Sequence, residues 1–242
     1  MLADILVVAQ KELRELWNAS TNRSSLLRLG IWVVIFGVMF PLQTGRPWLT
    51  TLLPVYYWTW LTLFYVGSLS VGAFAGERDI HTLETLLATR LPDSAILFGK
   101  ILASVAYGWG MVLLTVVTGV IGLNVAESGG GLLFYDPLVL IGGVLLSLLG
   151  AVLMSSAAVL VSLRAATARQ AAMTLSLVTL ALFAPIMIAQ FVPAFGQSFM
   201  GWLVSATQPA VIGAAGGVLA ALAAVFVGLA MARFKRAELI LD

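Results

Sequence analysis

Long uncharged runs alternate with short charged segments along the chain. Leu29 to Gly45, Pro47 to Gly76, Ile101 to Ala126, Pro137 to Leu163 and Gln170 to Ala232 hold no Asp, Glu, Lys or Arg. A helix of about 20 apolar residues crosses a hydrocarbon layer about 30 Å thick. The last run is long enough for two crossings, parted by the stretch from Pro193 to Pro209. The pattern therefore predicts an all-α integral membrane fold. Six transmembrane helices are expected at 26–44, 54–76, 98–123, 138–162, 171–192 and 210–232, filling 1–242 as one domain.

Two further segments have helical periodicity without the length to span. In 1–24, Leu2, Ile5, Leu6, Ala9, Leu13, Leu16 and Trp17 form an apolar stripe, with Lys11, Glu12, Arg14 and Glu15 mostly off it. That is the pattern of an amphipathic helix lying in the membrane interface. In 77–92, Ile80, Leu83, Leu87 and Leu91 recur at helical spacing, and Glu77, Asp79, Glu84 and Thr85 supply a polar side. Pro92 ends that helix, and Asp93 is expected to cap the next span. Residues 193–209, with Pro193, Phe195, Gly196, Phe199, Trp202 and Pro209, read as an interfacial segment.

Composition agrees with a lipid solvent. The chain is 61% hydrophobic and 10% charged, against about 45–50% and about 25% in soluble domains. With no cysteine, disulfides, thiolate metal sites and cysteine nucleophiles are excluded. His81 alone cannot build a histidine metal site, so no metal and no catalytic residues are assigned. Charges at Asp4, Lys11, Glu12, Arg14 and Glu15 interrupt the first apolar stretch, so no cleavable signal peptide is expected.

Charge placement orients the chain. With the N-terminus inside, Lys11, Arg14, Arg23, Arg28, Arg78, Arg90, Lys100, Arg164, Arg169, Arg233, Lys235 and Arg236 fall on the inner side of a six-span arrangement. Arg46 alone falls outside. Basic residues collect on the cytoplasmic side, so both termini are expected there. Trp48, Tyr56, Tyr57, Trp58 and Trp60 gather near the outer ends of spans one and two, as in an aromatic belt. Trp32 and Trp109 read as packing residues.

The mid-membrane regions lack ionisable residues of the kind that mark proton and ion paths. Glu127 and Asp136 read as solvated loop charges. Gly99-Lys100 lacks the remainder of a phosphate-cradling loop, so any ATP is bound by another chain. Gly213, Gly217 and Ala221, with Gly142, Gly143 and Gly150, read as helix-packing positions, and Pro185 as a bend in span five.

The stretch Glu77-Arg78-Asp79-Ile80-His81-Thr82-Leu83-Glu84-Thr85-Leu86-Leu87, followed by Pro92 and Gly99-Lys100, resembles the first cytoplasmic loop of ABC-2-type transporter permeases. Those permeases carry E-R-[DE]-x-G-T-L-E-x-L-L and a G-K opening span three. His81 stands where the family has glycine, and the family's proline near Arg90 is displaced to Pro92. The resemblance implies that 77–92 is a coupling helix. Glu77, Arg78, Asp79, His81, Thr82, Leu83, Glu84, Leu86 and Leu87 would then face an ATPase subunit, with Leu83, Leu86 and Leu87 as anchors. It further implies two ATP-binding partner subunits carrying ATP and Mg, with no cofactor on this chain. A second permease copy or a homologous one would complete the path, in a bacterial or archaeal cytoplasmic membrane. Residues 193–209 would form short outer re-entrant helices.

The path would run along spans one, two and five, lined by Tyr56, Thr59, Thr62, Thr174 and Thr179. Such a lining suits export of an amphipathic or hydrophobic cargo and gives no role to nucleic acid. Phe40-Pro41-Leu42 and the run Leu146 to Ile188 are similar, more weakly, to the haem-exporter subunit of cytochrome c maturation. Two other classes stay open: a lipid-modifying membrane enzyme and a channel without ATP coupling. The former would need a polar cluster at one face. The candidate cluster, Glu77, Asp79, His81 and Glu84, matches no metal or phosphotransfer spacing.

Overall fold

The computed structural model describes residues 1–71, 74–79, 89–127, 131–165, 167–205 and 209–234. Their regular structure is helical. In chain order it comprises α1 (Leu2–Ser20), α2 (Arg23–Val34), a π-helical turn (Ile35–Met39), α3 (Phe40–Thr44), α4 (Pro47–Thr50), α5 (Leu53–Ser70), α6 (Ala75–Asp79), α7 (Asp93–Ala126), α8 (Pro137–Arg164), α9 (Ala168–Phe191), α10 (Pro193–Ser205) and α11 (Pro209–Arg233).

Local chemistry sets the boundaries. Pro47, Pro54 and Pro137 sit in first turns, where a missing N–H costs nothing. Asp136 accepts from the Leu138 N–H, and Thr167 from the Gln170 N–H, capping α8 and α9. After α3 the backbone turns at Gly45 with φ 66°, a left-handed geometry that glycine adopts without a Cβ clash. Asp93 is not the cap of α7. Pro92 holds that position, and Asp93 is the first helical residue, where its charge favours the N-terminal dipole.

Five stretches among the described residues are long and apolar enough to cross a membrane: Ser25–Thr44, Leu53–Glu77, Asp93–Ala126, Pro137–Arg164 and Pro209–Arg233. The crossing expected at 171–192 coincides with the 24-residue α9, which runs unbroken through position 185 and is not among these five.

The bundle is organised around α5, which packs on α7, α8 and α9, while α11 packs on α8. Glycines let large side chains sink into neighbouring helices. A Cβ on Gly143 would lie 2.5 Å from the Trp58 ring, and one on Gly142 would lie 2.9 Å from Ile212. Gly142 of α8 thus admits Ile212 of α11, and Gly143 admits Trp58 of α5. The expected packing stripe Gly213, Gly217 and Ala221 is exposed on the other side of α11, where a Cβ on Gly213 or Gly217 meets nothing within 4 Å.

The aromatics near the start of α5 differ from the expected belt. Trp48 and Trp58 are each 1% exposed, and Tyr57 is buried with them. Phe36, Phe40, Tyr57 and Trp48 form a chain of ring contacts with centroids 5.3, 4.8 and 5.6 Å apart. They bind α2–α4 to α5, because ring-to-ring packing removes more area than headgroup contact does. Trp32 stacks on Phe36 at 5.2 Å, and the Trp109 indole donates to the Val144 carbonyl and Ser147 Oγ.

Candidate functional site

The residues leading into the 77–92 segment are tied to much of the bundle. Glu77 and Asp79 lie in α6, which follows the long helix α5. Lys100 is in the second turn of α7, with its side chain 1% exposed. Its ammonium lies 2.8 Å from Glu77 Oε1 and 2.9 Å from Glu12 Oε1 of α1, with the Phe74 ring centroid 5.4 Å away. Burying a cation costs several kcal/mol unless carboxylates compensate, and here two do. At 1.5 Å per residue the 34-residue α7 is about 51 Å long, more than a hydrocarbon core of about 30 Å requires.

The neighbouring Lys11 extends the cluster, 3.4 Å from Glu12, 3.2 Å from Glu15 and 4.0 Å from Glu77. Partial burial pulls its pKa down, but Glu12, Glu15 and Glu77 outweigh that and hold it above the ordinary 10.5.

Helix α1 is seated on α7 by a matching gap. A Cβ on Gly99 would come within 2.5 Å of Val8 and 3.2 Å of the Ile5 carbonyl. Val8 and Ala9 are buried there, with Ile5, Glu12, Leu13 and Leu16 half-buried beside them. The predicted apolar stripe is therefore divided. Ala9 is buried and Leu13 and Leu16 half-buried, whereas Leu2, Leu6 and Trp17 are exposed. Glu12, placed off the stripe by periodicity, points inward because Lys100 is its partner.

Three further ties converge on the same place. Ser162 Oγ of α8 accepts from the Phe74 N–H at 3.3 Å and the Ala75 N–H at 2.7 Å, and donates to the Val71 carbonyl. Asp79 Oδ2 accepts from the Ala168 N–H at 3.0 Å, at the start of α9. The Phe234 ring, just past α11, lies 5.1 Å from Phe74. Residues 71 and 74–79 are thus bound to α1, α7, α8, α9 and the end of α11. Of the expected coupling residues, Glu77 and Asp79 fall in this junction. His81, Thr82, Leu83, Glu84, Leu86 and Leu87 lie outside the described residues, as does the Arg78 side chain. Glu12, Phe74 and Ser162 have no place in the motif, and Lys100 enters it only through the Gly99-Lys100 pair that opens the span. The one available signal was a lysine opening an otherwise apolar helix beside a glycine.

The expected path residues do not form one site. Tyr56 and Thr59 line an apolar cavity with Leu52, Leu146, Ile212 and Leu219, between α5, α8 and α11. Thr179 lines a different one with Phe64, Gly67 and Ser68. Thr62 is buried, and Thr174 is exposed. All four threonine hydroxyls donate to carbonyls four residues back in their own helices. These walls consequently offer apolar surface with their hydroxyl protons already engaged.

The fold and junction define a multi-pass helical membrane protein whose inter-span loop is anchored to several helices. The family described as ABC-2 family transporter protein matches residues 49–201, and the chain belongs to that family. It is a membrane permease of the ATP-binding cassette class, whose members work with ATP-binding cassette subunits. No curated protein matches the chain.

Proposed function

We propose that the chain is the transmembrane subunit of an ATP-driven exporter, with separate ATPase subunits gripping residues 77–92 and alternating access moving an amphipathic or hydrophobic cargo. The observation that carries this reading is the junction at Glu77 and Asp79. A displacement applied to the following segment reaches α1 and α7 through Lys100, α8 through Ser162 and α9 through Asp79. Charge-assisted and buried hydrogen bonds transmit such a load better than a solvated loop would.

In this reading six helices span, α9 among them, and α10 is an outer non-spanning helix. The end carrying Lys11, Lys100, Arg164, Arg169 and Arg233 is cytoplasmic, since basic residues favour that side. Two permeases, either copies or homologues, pair with two ATPases. The apolar cavity beside Tyr56 and Thr59 fits a cargo with hydrocarbon surface better than a bare ion.

The test is Leu83→Asp combined with Leu87→Asp in the complete transporter complex. The ATPase subunits are expected to dissociate on purification, and cargo-stimulated ATP hydrolysis to vanish, while the permease stays inserted. Retained ATPase subunits with undiminished stimulation would overturn the docking role.

A further inference from the structure

A second cleft, separate from the junction and from the Tyr56 cavity, runs between α8, α9 and α11. Its volume is about 690 Å³, within the roughly 300–1,000 Å³ of small-molecule sites. Its floor is buried and apolar, formed by Met154 and Leu175. Its rim is open, with Leu222 and Leu229 exposed by 43% and 45%. Arg164 and Arg233, the last residues of α8 and α11, line it at that end of the two helices. Among the described residues neither arginine has an ion-pair partner, and no acidic side chain lines the cleft.

The dimensions identify the occupant. From Leu153 to Arg164 and from Leu222 to Arg233 the walls each run eleven residue steps, about 16 Å at 1.5 Å per step. Half of a hydrocarbon core about 30 Å thick is about 15 Å. An apolar groove one leaflet deep, ending in paired cations at headgroup level, matches one molecule shape: an acyl chain carrying an anion. Arginine pairs hold phosphate oxygens by forked hydrogen bonds, and basic pockets between membrane helices attract acidic headgroups.

We propose that this cleft binds an anionic phospholipid from the leaflet at the Arg164 and Arg233 end, with its phosphate between the two guanidiniums and an acyl chain along the α8–α11 groove. The lipid fills the gap between α9 and the α8–α11 pair. This site does not depend on the nucleotide-coupling reading.

The experiment uses the full chain purified in a neutral detergent and incubated with an equimolar mixture of phosphatidylglycerol and phosphatidylcholine. Retained lipid is quantified after extraction. Phosphatidylglycerol is expected to be retained at least tenfold over phosphatidylcholine. Arg164→Gln with Arg233→Gln should lower its retention at least tenfold, whereas the paired Arg→Lys variant should keep most of it. Leu222→Trp, which fills the groove and leaves both guanidiniums, should also expel the lipid. Equal retention of the two lipids, or retention unchanged in the glutamine or tryptophan variant, would overturn the proposal. So would displacement by inorganic phosphate at comparable concentration, which would mark a headgroup-only anion site. If the glutamine pair fails to fold, the lipid competition on the native chain and the Leu222→Trp variant still decide.

Discussion

The two ends of the bundle are joined by different physics. At the end bearing Glu127, the helices meet through rings: Trp48, Tyr57, Trp58 and Tyr135 are buried, and Trp58 meets Tyr135 edge-on at 5.1 Å. The ion pair there, Arg46 with Glu127 at 2.7 Å, has its arginine 66% exposed. At the other end a lysine is buried between two glutamates, and polar ties bind the root of a loop to its neighbours. Apolar packing is non-directional and tolerates small shifts. A buried ion pair is directional and fails abruptly when one partner leaves. The contrast sets a ring-packed end against a charge-tied one.

The comparison can be broken most severely at the aromatic end. Trp58→Ala should cost about 3–5 kcal/mol, since the ring fills the notch at Gly143 and leaves a cavity when removed. Thermal unfolding in detergent measures this, and a loss below about 1 kcal/mol would show that the rings do not hold that end. The loss should be insensitive to added salt.

Lys100→Gln should cost about 3 kcal/mol by stranding Glu12 and Glu77. Its signature is local. The chain has no cysteine, so Val8→Cys supplies a single reporter on the buried face of α1. Thiol labelling at that position should accelerate at least tenfold in Lys100→Gln and stay slow in Trp58→Ala. Equal labelling rates in both variants would erase the distinction between the ends.

Arg46→Ala is the smallest change, expected to cost less than about 1 kcal/mol because its pair is solvated. A larger loss, measured in the same unfolding assay, would mean that the Glu127 end also relies on charge.

The sequence carried the architecture well, for a physical reason. Helices in lipid must satisfy their own backbone, so uncharged length alone marks them, and the runs around Leu53–Glu77, Asp93–Ala126 and Pro137–Arg164 stand out without any packing information. Contacts across long separations were not legible. Periodicity put Glu12 on the polar side of α1, because nothing local announces a partner 88 residues away. Gly142, Gly143, Gly213 and Gly217 all read as packing positions, because the pattern does not say which neighbour arrives. Within this chain the first two receive Ile212 and Trp58, while a Cβ on either of the last two meets nothing within 4 Å. The aromatic residues near Trp58 have the composition of a headgroup belt and the burial of a core. One strand of text cannot distinguish these, since both use the same rings.

The contact between Phe74 and Phe234 has a consequence in time. These rings are separated by 160 residues of chain. Ribosomes add roughly 5–20 residues per second, so Phe234 emerges about 8–32 s after Phe74. The Glu12–Glu77–Lys100 cluster can close much sooner, once residue 100 is made. The tie through Phe234 therefore forms later in synthesis than the charged cluster does.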